Sequence, residues 1–192
     1  IQEDTNADGV LDRSTTFSAG VQQRTEQDRN GDGKPDLWVD YESGRIARQQ
    51  EDRDFDGRVD ARQAGGSGSA GTQEADTNRD GAIDTWVELD ASGEVALRRE
   101  DKNGDGKPDL QSWFERGRLT RAEQDSDAGG CVDVKQWFDA AGQVTRDERD
   151  ASGDCRSDTW SFLEGGRVVR QAQDTNQDGK PDLLSLLGAD GK

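Results

Sequence analysis

The sequence predicts an all-β fold, an elongated antiparallel array of β-hairpin repeats in a meander that is either open or coiled, with acidic loops along one edge. Two observations lead to this prediction: a nine-residue acidic pattern recurs about every 24 residues, and strand-forming residues flank a glycine turn after most copies. The hydrophobic share of 29% is too small for a large apolar core. Order must therefore come from the repeat.

The composition excludes several classes of protein. The 192 residues carry 42 acidic and 25 basic side chains, a net charge of -17, and no His. Without His the chain lacks an imidazole base, the usual serine triad and a His-ligated zinc or haem site. The negative charge opposes nucleic-acid binding, and no apolar run reaches the roughly 18 residues that span a bilayer. Composition alone would predict a disordered chain.

The repeat begins with an aspartate of fixed spacing. Each copy has the pattern D-x-N/D-x-D-G-x-x-D, with small departures in two copies, as in the segment from Asp28 to Asp36. The eight opening residues are Asp4, Asp28, Asp52, Asp76, Asp101, Asp125, Asp150 and Asp174. We therefore interpret 1–192 as a single repeat domain of eight units of about 24 residues.

The residues between the loops predict hairpins. A two-residue turn at Ser43-Gly44 would place Tyr41 opposite Ile46. The same construction predicts further apolar cross-strand pairs that would fix the register: Phe114 with Leu119, Leu163 with Val168, Leu89 with Val95, and Phe138 with Val144. The unit around 61–75 has almost no strand-forming side chains, and we expect an irregular, flexible hairpin there.

The nine-residue loops have the chemistry of a calcium site. Carboxylates and amides at positions one, three and five, followed by Gly at six, converge on one point, and position seven offers its backbone carbonyl. Because no Glu stands at position twelve, the Asp at position nine must complete the ligand shell. Six loops are complete, and the predicted ligands are Asp4, Asn6, Asp8, Val10 and Asp12; Asp28, Asn30, Asp32, Lys34 and Asp36; Asp52, Asp54, Asp56, Arg58 and Asp60; Asp76, Asn78, Asp80, Ala82 and Asp84; Asp101, Asn103, Asp105, Lys107 and Asp109; and Asp174, Asn176, Asp178, Lys180 and Asp182.

Charge accounting agrees with about six Ca²⁺ sites. Nineteen of the 42 acidic residues occupy ligand positions of these six loops, so 23 remain against 25 basic residues. The chain is thus nearly neutral outside its loops. Without a cation, the clustered carboxylates would repel one another.

The loop pattern resembles the calcium loops of FG-GAP and VCBS repeats, and more loosely those of dockerins and thrombospondin type 3 repeats. The hairpins, such as that from Trp137 to Arg146, resemble YD-type and MORN-type repeats of bacterial surface proteins. The resemblance implies a bacterial surface or secreted calcium-binding protein. It also raises the alternative fold of a β-propeller, although a 48-residue alternation of units is absent.

The two cysteines lie in the two departing loops. Gly129 replaces the carboxylate at position five of the sixth loop, which contains Cys131, and Cys155 replaces the Gly of the seventh. We hypothesise a Cys131–Cys155 disulfide joining loops that have lost their ion, with two free thiols as the alternative. A disulfide and millimolar calcium both indicate an extracellular, cell-surface or periplasmic location.

These features favour a non-enzymatic function. The first hypothesis is a structural or adhesion module that calcium makes rigid, with a cell-surface protein or a glycan as partner. The alternative is a calcium-dependent carbohydrate-binding module that uses exposed Trp residues such as Trp38 and Trp86. A glycoside hydrolase is disfavoured because most Asp residues are committed to loops. We expect no nucleic-acid partner and no transmembrane segment.

Overall fold

The protein is all-β, as predicted. A computed structural model describes residues 1–65 and 69–188, and these contain sixteen strands and no helix. The strands follow one another in one antiparallel sheet in chain order, a hairpin meander that is not closed into a barrel and has no separate propeller blades. Their bounds are β1 Gln2–Glu3, β2 Arg13–Ser18, β3 Val21–Gln27, β4 Leu37–Glu42, β5 Arg45–Glu51, β6 Ala61–Ala64, β7 Gly71–Ala75, β8 Thr85–Leu89, β9 Val95–Glu100, β10 Leu110–Glu115, β11 Arg118–Gln124, β12 Val134–Phe138, β13 Val144–Arg149, β14 Thr159–Glu164, β15 Arg167–Gln173 and β16 Leu183–Leu186.

By internal contacts the chain divides into two compact units, Ile1–Val95 and Ala96–Lys192. In the first, β6 and β7 pair without a register shift, from Ala61 opposite Ala75 to Ala64 opposite Thr72. The predicted irregular hairpin falls partly on 66–68, which lie outside the described residues. The flexibility predicted for that turn stays a prediction.

Four of the five predicted apolar cross-strand pairs are confirmed, and the pair of Leu89 with Val95 stays a prediction. Tyr41 lies opposite Ile46, and the turn residues Ser43 and Gly44 have φ of 51° and 77°, the left-handed values that a type I′ turn requires. The other confirmed pairs are Phe114 with Leu119, Leu163 with Val168, and Phe138 with Val144.

Each of these hairpins also contains a β-bulge that the sequence did not reveal. In the hairpin of β4 and β5, the register shifts between Asp40 and Tyr41, so that Asp40 lies opposite Arg48 and Ala47 is the extra residue. Four further hairpins shift at the same place. Because the extra residue reverses the side-chain alternation, Arg48 shares a face of the sheet with Asp40 and Trp38.

The interior is mostly polar. Among the described residues, only Leu37 and Val39 are buried hydrophobic side chains, whereas thirteen polar or charged residues are buried. On the face that includes Val39, the amide of Gln136 donates to Asp147 at 2.9 Å, and that of Gln171 donates to Ser161 Oγ at 3.3 Å. Hydrogen bonds therefore replace apolar packing as the link between neighbouring strands.

Candidate metal sites

All eight loops have the same backbone conformation. Positions four and six have positive φ in every loop, including Phe55 at 66° and Gly57 at 89° in the third loop. The seventh loop keeps this shape although Cys155, at φ 69°, replaces the glycine of position six. The conformation is therefore encoded by more than the glycine, since a left-handed Cys costs free energy that other contacts must offset.

The contacts that define this shape are bonds from backbone amides to carboxylates. The position-one Asp accepts the amide of position six in all eight loops, at 2.6 to 2.9 Å. The position-nine Asp accepts the amide of position two in all eight. Each loop thus folds around its own two terminal carboxylates, which turns their charges toward the same small space.

These terminal aspartates also join the loops to the sheet. The amide of Asp52 donates to the carbonyl of Asp36 at 2.8 Å, and the amide of Asp36 donates to Gln27 at 2.8 Å. The same two bonds continue the strand ladder into the other loops. Asp36 is 2% exposed and Asp52 is 3% exposed. Uncompensated burial of two carboxylates is costly, so the amide donors and any cation are part of the fold.

Hydrogen bonds favour the ionised form of two of the terminal carboxylates, Asp4 and Asp84. The amide of Gly9 lowers the pKa of Asp4 below its ordinary value. Burial acts to raise the pKa of Asp84, but hydroxyls of Thr77 and Thr85 and nearby backbone amides outweigh it, and the pKa is lowered. An ionised carboxylate is the form that binds a hard cation.

Three of the loops gather three carboxylates whose oxygen atoms lie within 4.8 Å of one another among the described residues. The third loop does so with predicted ligands, Asp52, Asp54 and Asp56. In that loop Asp60 accepts the amide of Asp54 at 3.1 Å, but its carboxylate is not one of the three in this group. Such a group of acidic oxygens could hold a metal ion.

The other two groups lie in the loops that the sequence marked as departing from the pattern. They are Asp125, Asp127 and Asp133 in the sixth loop, and Asp150, Asp154 and Asp158 in the seventh. The sixth loop compensates for Gly129 with an Asp at position three, and the seventh compensates for Ser152 with an Asp at position five. The sequence analysis classed both loops as having lost their ion because one ligand was replaced, and it did not consider the three carboxylates that remain in each.

The five remaining loops differ at position three, where Asn stands in place of Asp. In the fifth loop the Asn103 oxygen accepts the amide of Asp105 at 2.8 Å, while its nitrogen donates to Asp109 at 2.8 Å. In the fourth, the Asn78 nitrogen donates to Asp80 at 3.0 Å. These loops therefore bring together two or three predicted acidic ligands around an amide, without three carboxylates as close as in the third loop.

Position seven has a role beyond its carbonyl group. The Arg58 side chain lies against Gly81 of the next loop, where a β-carbon would collide with it, and Arg156 likewise lies against Gly179. The glycines at position six are required by their positive φ, and in these two loops the arginine of the preceding loop also packs against them.

The predicted disulfide is confirmed. Cys131 and Cys155 are bonded, with Cα atoms 5.1 Å apart across 24 residues of sequence. The bond joins position seven of one loop to position six of the next. The two loops that it joins are those whose ligand patterns are weakest.

The Trp residues lie on the face of the sheet opposite to that of Val39. We call it the aromatic–arginine face, and one of its rows consists of Trp113, Arg121, Trp137, Arg146 and Phe162. The guanidinium of Arg121 lies 4.9 Å from the centre of the Trp113 ring and 5.4 Å from that of Trp137. Arg146 lies 4.6 Å from Trp137 and 5.7 Å from Phe162. Arginine and aromatic side chains therefore alternate along one row of cross-strand neighbours, and each ring is contacted by a cation.

Comparisons with known proteins give no family. No family model matches the chain. No curated protein matches it either. Among the described residues, the search for helices able to cross a bilayer found none.

Proposed function

We propose that this chain is an extracellular calcium-binding repeat module with a structural or adhesive role, made rigid by Ca²⁺. The observation that carries the proposal is that all eight loops share one backbone conformation and bind their own amides with the same two terminal carboxylates. A single acidic turn has no need of a partner ion, but eight that repeat one shape beside a polar interior call for a common source of stability. Calcium suits these loops because it takes six to eight hard oxygens in flexible geometry.

Calcium would act through folding. The terminal aspartates belong both to the ion loops and to the strand ladder, as Asp36 and Asp52 illustrate. Binding free energy at the loops would therefore become folding free energy, because the unfolded chain has no preformed site. We propose about six Ca²⁺ ions, one in each loop with the complete pattern.

Location and partner follow from the same chemistry. The Cys131–Cys155 bond is compatible with an oxidising compartment, and millimolar free calcium occurs outside the cytosol. A module of this kind on a bacterial surface would present or join other components, a cell-surface protein or a glycan, without catalysing a reaction. The carbohydrate-binding alternative gains no support from Trp113 and Trp137, because arginines contact both rings.

The experiment is a calcium titration of the chelator-treated protein, followed by far-ultraviolet circular dichroism and by Trp fluorescence. We expect strand signal and a higher urea midpoint to appear with Ca²⁺ and to reverse with chelator. Magnesium at equal concentration is the control, because its strict octahedral geometry suits these loops poorly. Spectra and midpoints that are the same with calcium and with chelator would refute the proposal.

A further inference from the structure

The aromatic–arginine face contains one notch, which is distinct from the acidic loops. It has a volume of about 240 Å³ and is formed by β5, β6 and β7 in the first compact unit. Its lining includes Arg48, Gln50, Arg62, Ala64, Thr72 and Glu74. The notch exists because the third repeat unit has small side chains where the other units have large or charged ones.

Arg48 can be compared with Arg24, which holds the same place one repeat earlier in this row of cross-strand neighbours. Arg24 lies opposite Asp40 and donates to its carboxylate at 3.0 Å. One hairpin further along, Arg48 lies opposite Ala64, which is followed by Thr72. Asp40 is also opposite Arg48, but its carboxylate is bonded to Arg24. Arg48 therefore has an acidic neighbour on one side only, and that carboxylate is paired with Arg24.

The second compact unit shows another way of filling the same place. There Arg121 is followed in the row by Trp137, whose ring centre is 5.4 Å from the guanidinium, and Arg146 is followed by Phe162 at 5.7 Å. Among the described residues, the neighbour after such an arginine is thus a carboxylate at Arg24, an aromatic ring at Arg121 and Arg146, and the larger aliphatic side chain of Leu186 at Arg170. At Arg48 it is the methyl group of Ala64.

A second acidic partner is also absent at Arg48. Arg24 pairs with Glu26 at 2.8 Å, and Arg121 and Arg146 pair with the glutamates two residues beyond them. The residue two beyond Arg48 is Gln50, which carries no charge. Within 1–65 and 69–188, Arg48 has no ion pair, while its neighbour Arg62 is paired with Glu74 at 3.3 Å.

We propose that the notch binds a small aromatic carboxylate. The carboxylate would accept the guanidinium hydrogens of Arg48, as Asp40 does from Arg24, and the ring would fill the space over Ala64, which is the position that Trp137 holds beside Arg121. The amide of Gln50 and the hydroxyl of Thr72 border the same space and can donate to the ligand. Since drug-sized ligands fill roughly 300–1,000 Å³, this notch suits a single ring.

The test is a ¹⁹F NMR titration of the full chain with 4-fluorobenzoate, in the presence of calcium. We expect saturable binding, no binding of the neutral isostere 4-fluorobenzamide, and a loss of affinity of about tenfold or more in Arg48→Gln. Ala64→Asp places a carboxylate beside Arg48 and should abolish binding as well. Arg170→Gln is the matched control, because Arg170 holds the equivalent position in the last repeat, beside the Phe162 ring, and this variant should bind like the wild type.

Two results would overturn the proposal. One is the absence of saturable binding to the wild-type chain. The other is equal affinity in the wild type and Arg48→Gln, which would place the carboxylate elsewhere, for example on a loop-bound cation. These results are distinct from a failure of the proposed calcium-dependent folding. A chain that folds with calcium but binds no fluorobenzoate would refute only the notch proposal.

Discussion

Replacing Asp36 with Asn separates two roles of a loop carboxylate, which are to accept backbone hydrogen bonds and to bind a cation. Asp36 is 2% exposed, and its Oδ2 accepts the amides of Arg29 at 2.7 Å and Asn30 at 3.2 Å. An Asn of the same shape can accept both amides with its oxygen. Its NH₂ group then takes the place of Oδ1, which is the oxygen left for a cation.

The expected loss of stability depends on calcium. Without it, the change exchanges hydrogen bonds to a charged group for hydrogen bonds to a neutral one, and the free energy of unfolding should fall by about 1 kcal/mol. With calcium at 100 times the dissociation constant, a bound site contributes about 2.7 kcal/mol. Losing that site as well gives a total loss of about 4 kcal/mol.

The assay is urea unfolding followed by Trp fluorescence, for the wild type and Asp36→Asn, with calcium and with chelator. Asp90→Asn is the matched control: Asp90 also accepts backbone amides, from Ser92 at 2.8 Å and Glu94 at 3.1 Å, but in a hairpin turn. The control should lose the same amount in both conditions. An equal loss for Asp36→Asn with and without calcium would refute the assignment of Asp36 as a ligand.

Three other perturbations test separate parts of the structure. Reduction of the Cys131–Cys155 bond, which spans 24 residues, should lower the free energy of unfolding by about 3 kcal/mol, and an unchanged urea midpoint with reductant would contradict this. Gly33→Ala puts a β-carbon at φ +86°, with nothing within 4 Å, and should cost about 1–2 kcal/mol by backbone strain alone; full stability in urea would show that this loop tolerates another conformation. Arg146→Gln removes the nearer of the two cations that contact Trp137 and should lower stability by about 0.5–1 kcal/mol and shift Trp emission, whereas an unaltered emission spectrum would count against the ring contact.

Much of the fold could be predicted because the repeat carries its own register. The spacing of glycines fixed the turns, and the turns fixed pairs such as Tyr41 with Ile46. The Cys131–Cys155 bond was predictable for the same reason, since adjacent positions in the loops of successive units lie close together.

The features that could not be predicted depend on single-residue details of backbone geometry. The bulge at Ala47 has no distinctive residue, yet it decides that Arg48 and Asp40 share a face. The aromatic–arginine row follows from that bulge, so the pairing of Arg121 with Trp137 was hidden as well. The small apolar core was expected from composition, but the side-chain hydrogen bonds that replace it, such as that from Gln136 to Asp147, were not, because alternation does not show how inward-facing polar groups pair.

The sequence analysis also misjudged which loops bring three carboxylates together. The sequence classed the sixth and seventh loops as deficient, whereas Asp127 and Asp154 complete three-carboxylate groups there. Conversely, Asn at position three met the pattern, but its NH₂ group binds neighbouring carboxylates, as Asn103 does with Asp109. A sequence pattern shows which residues are of a type that can bind a cation. It does not show how close their oxygen atoms lie, because those distances depend on the folded loop.

The central claim is that divalent cations, and not apolar burial, stabilise this sheet. Its most direct test is equilibrium dialysis of the chelator-treated protein against calcium, with bound metal determined by elemental analysis. The account predicts saturation at about six Ca²⁺ per chain. Saturation below one ion per chain, in protein that remains folded, would contradict it.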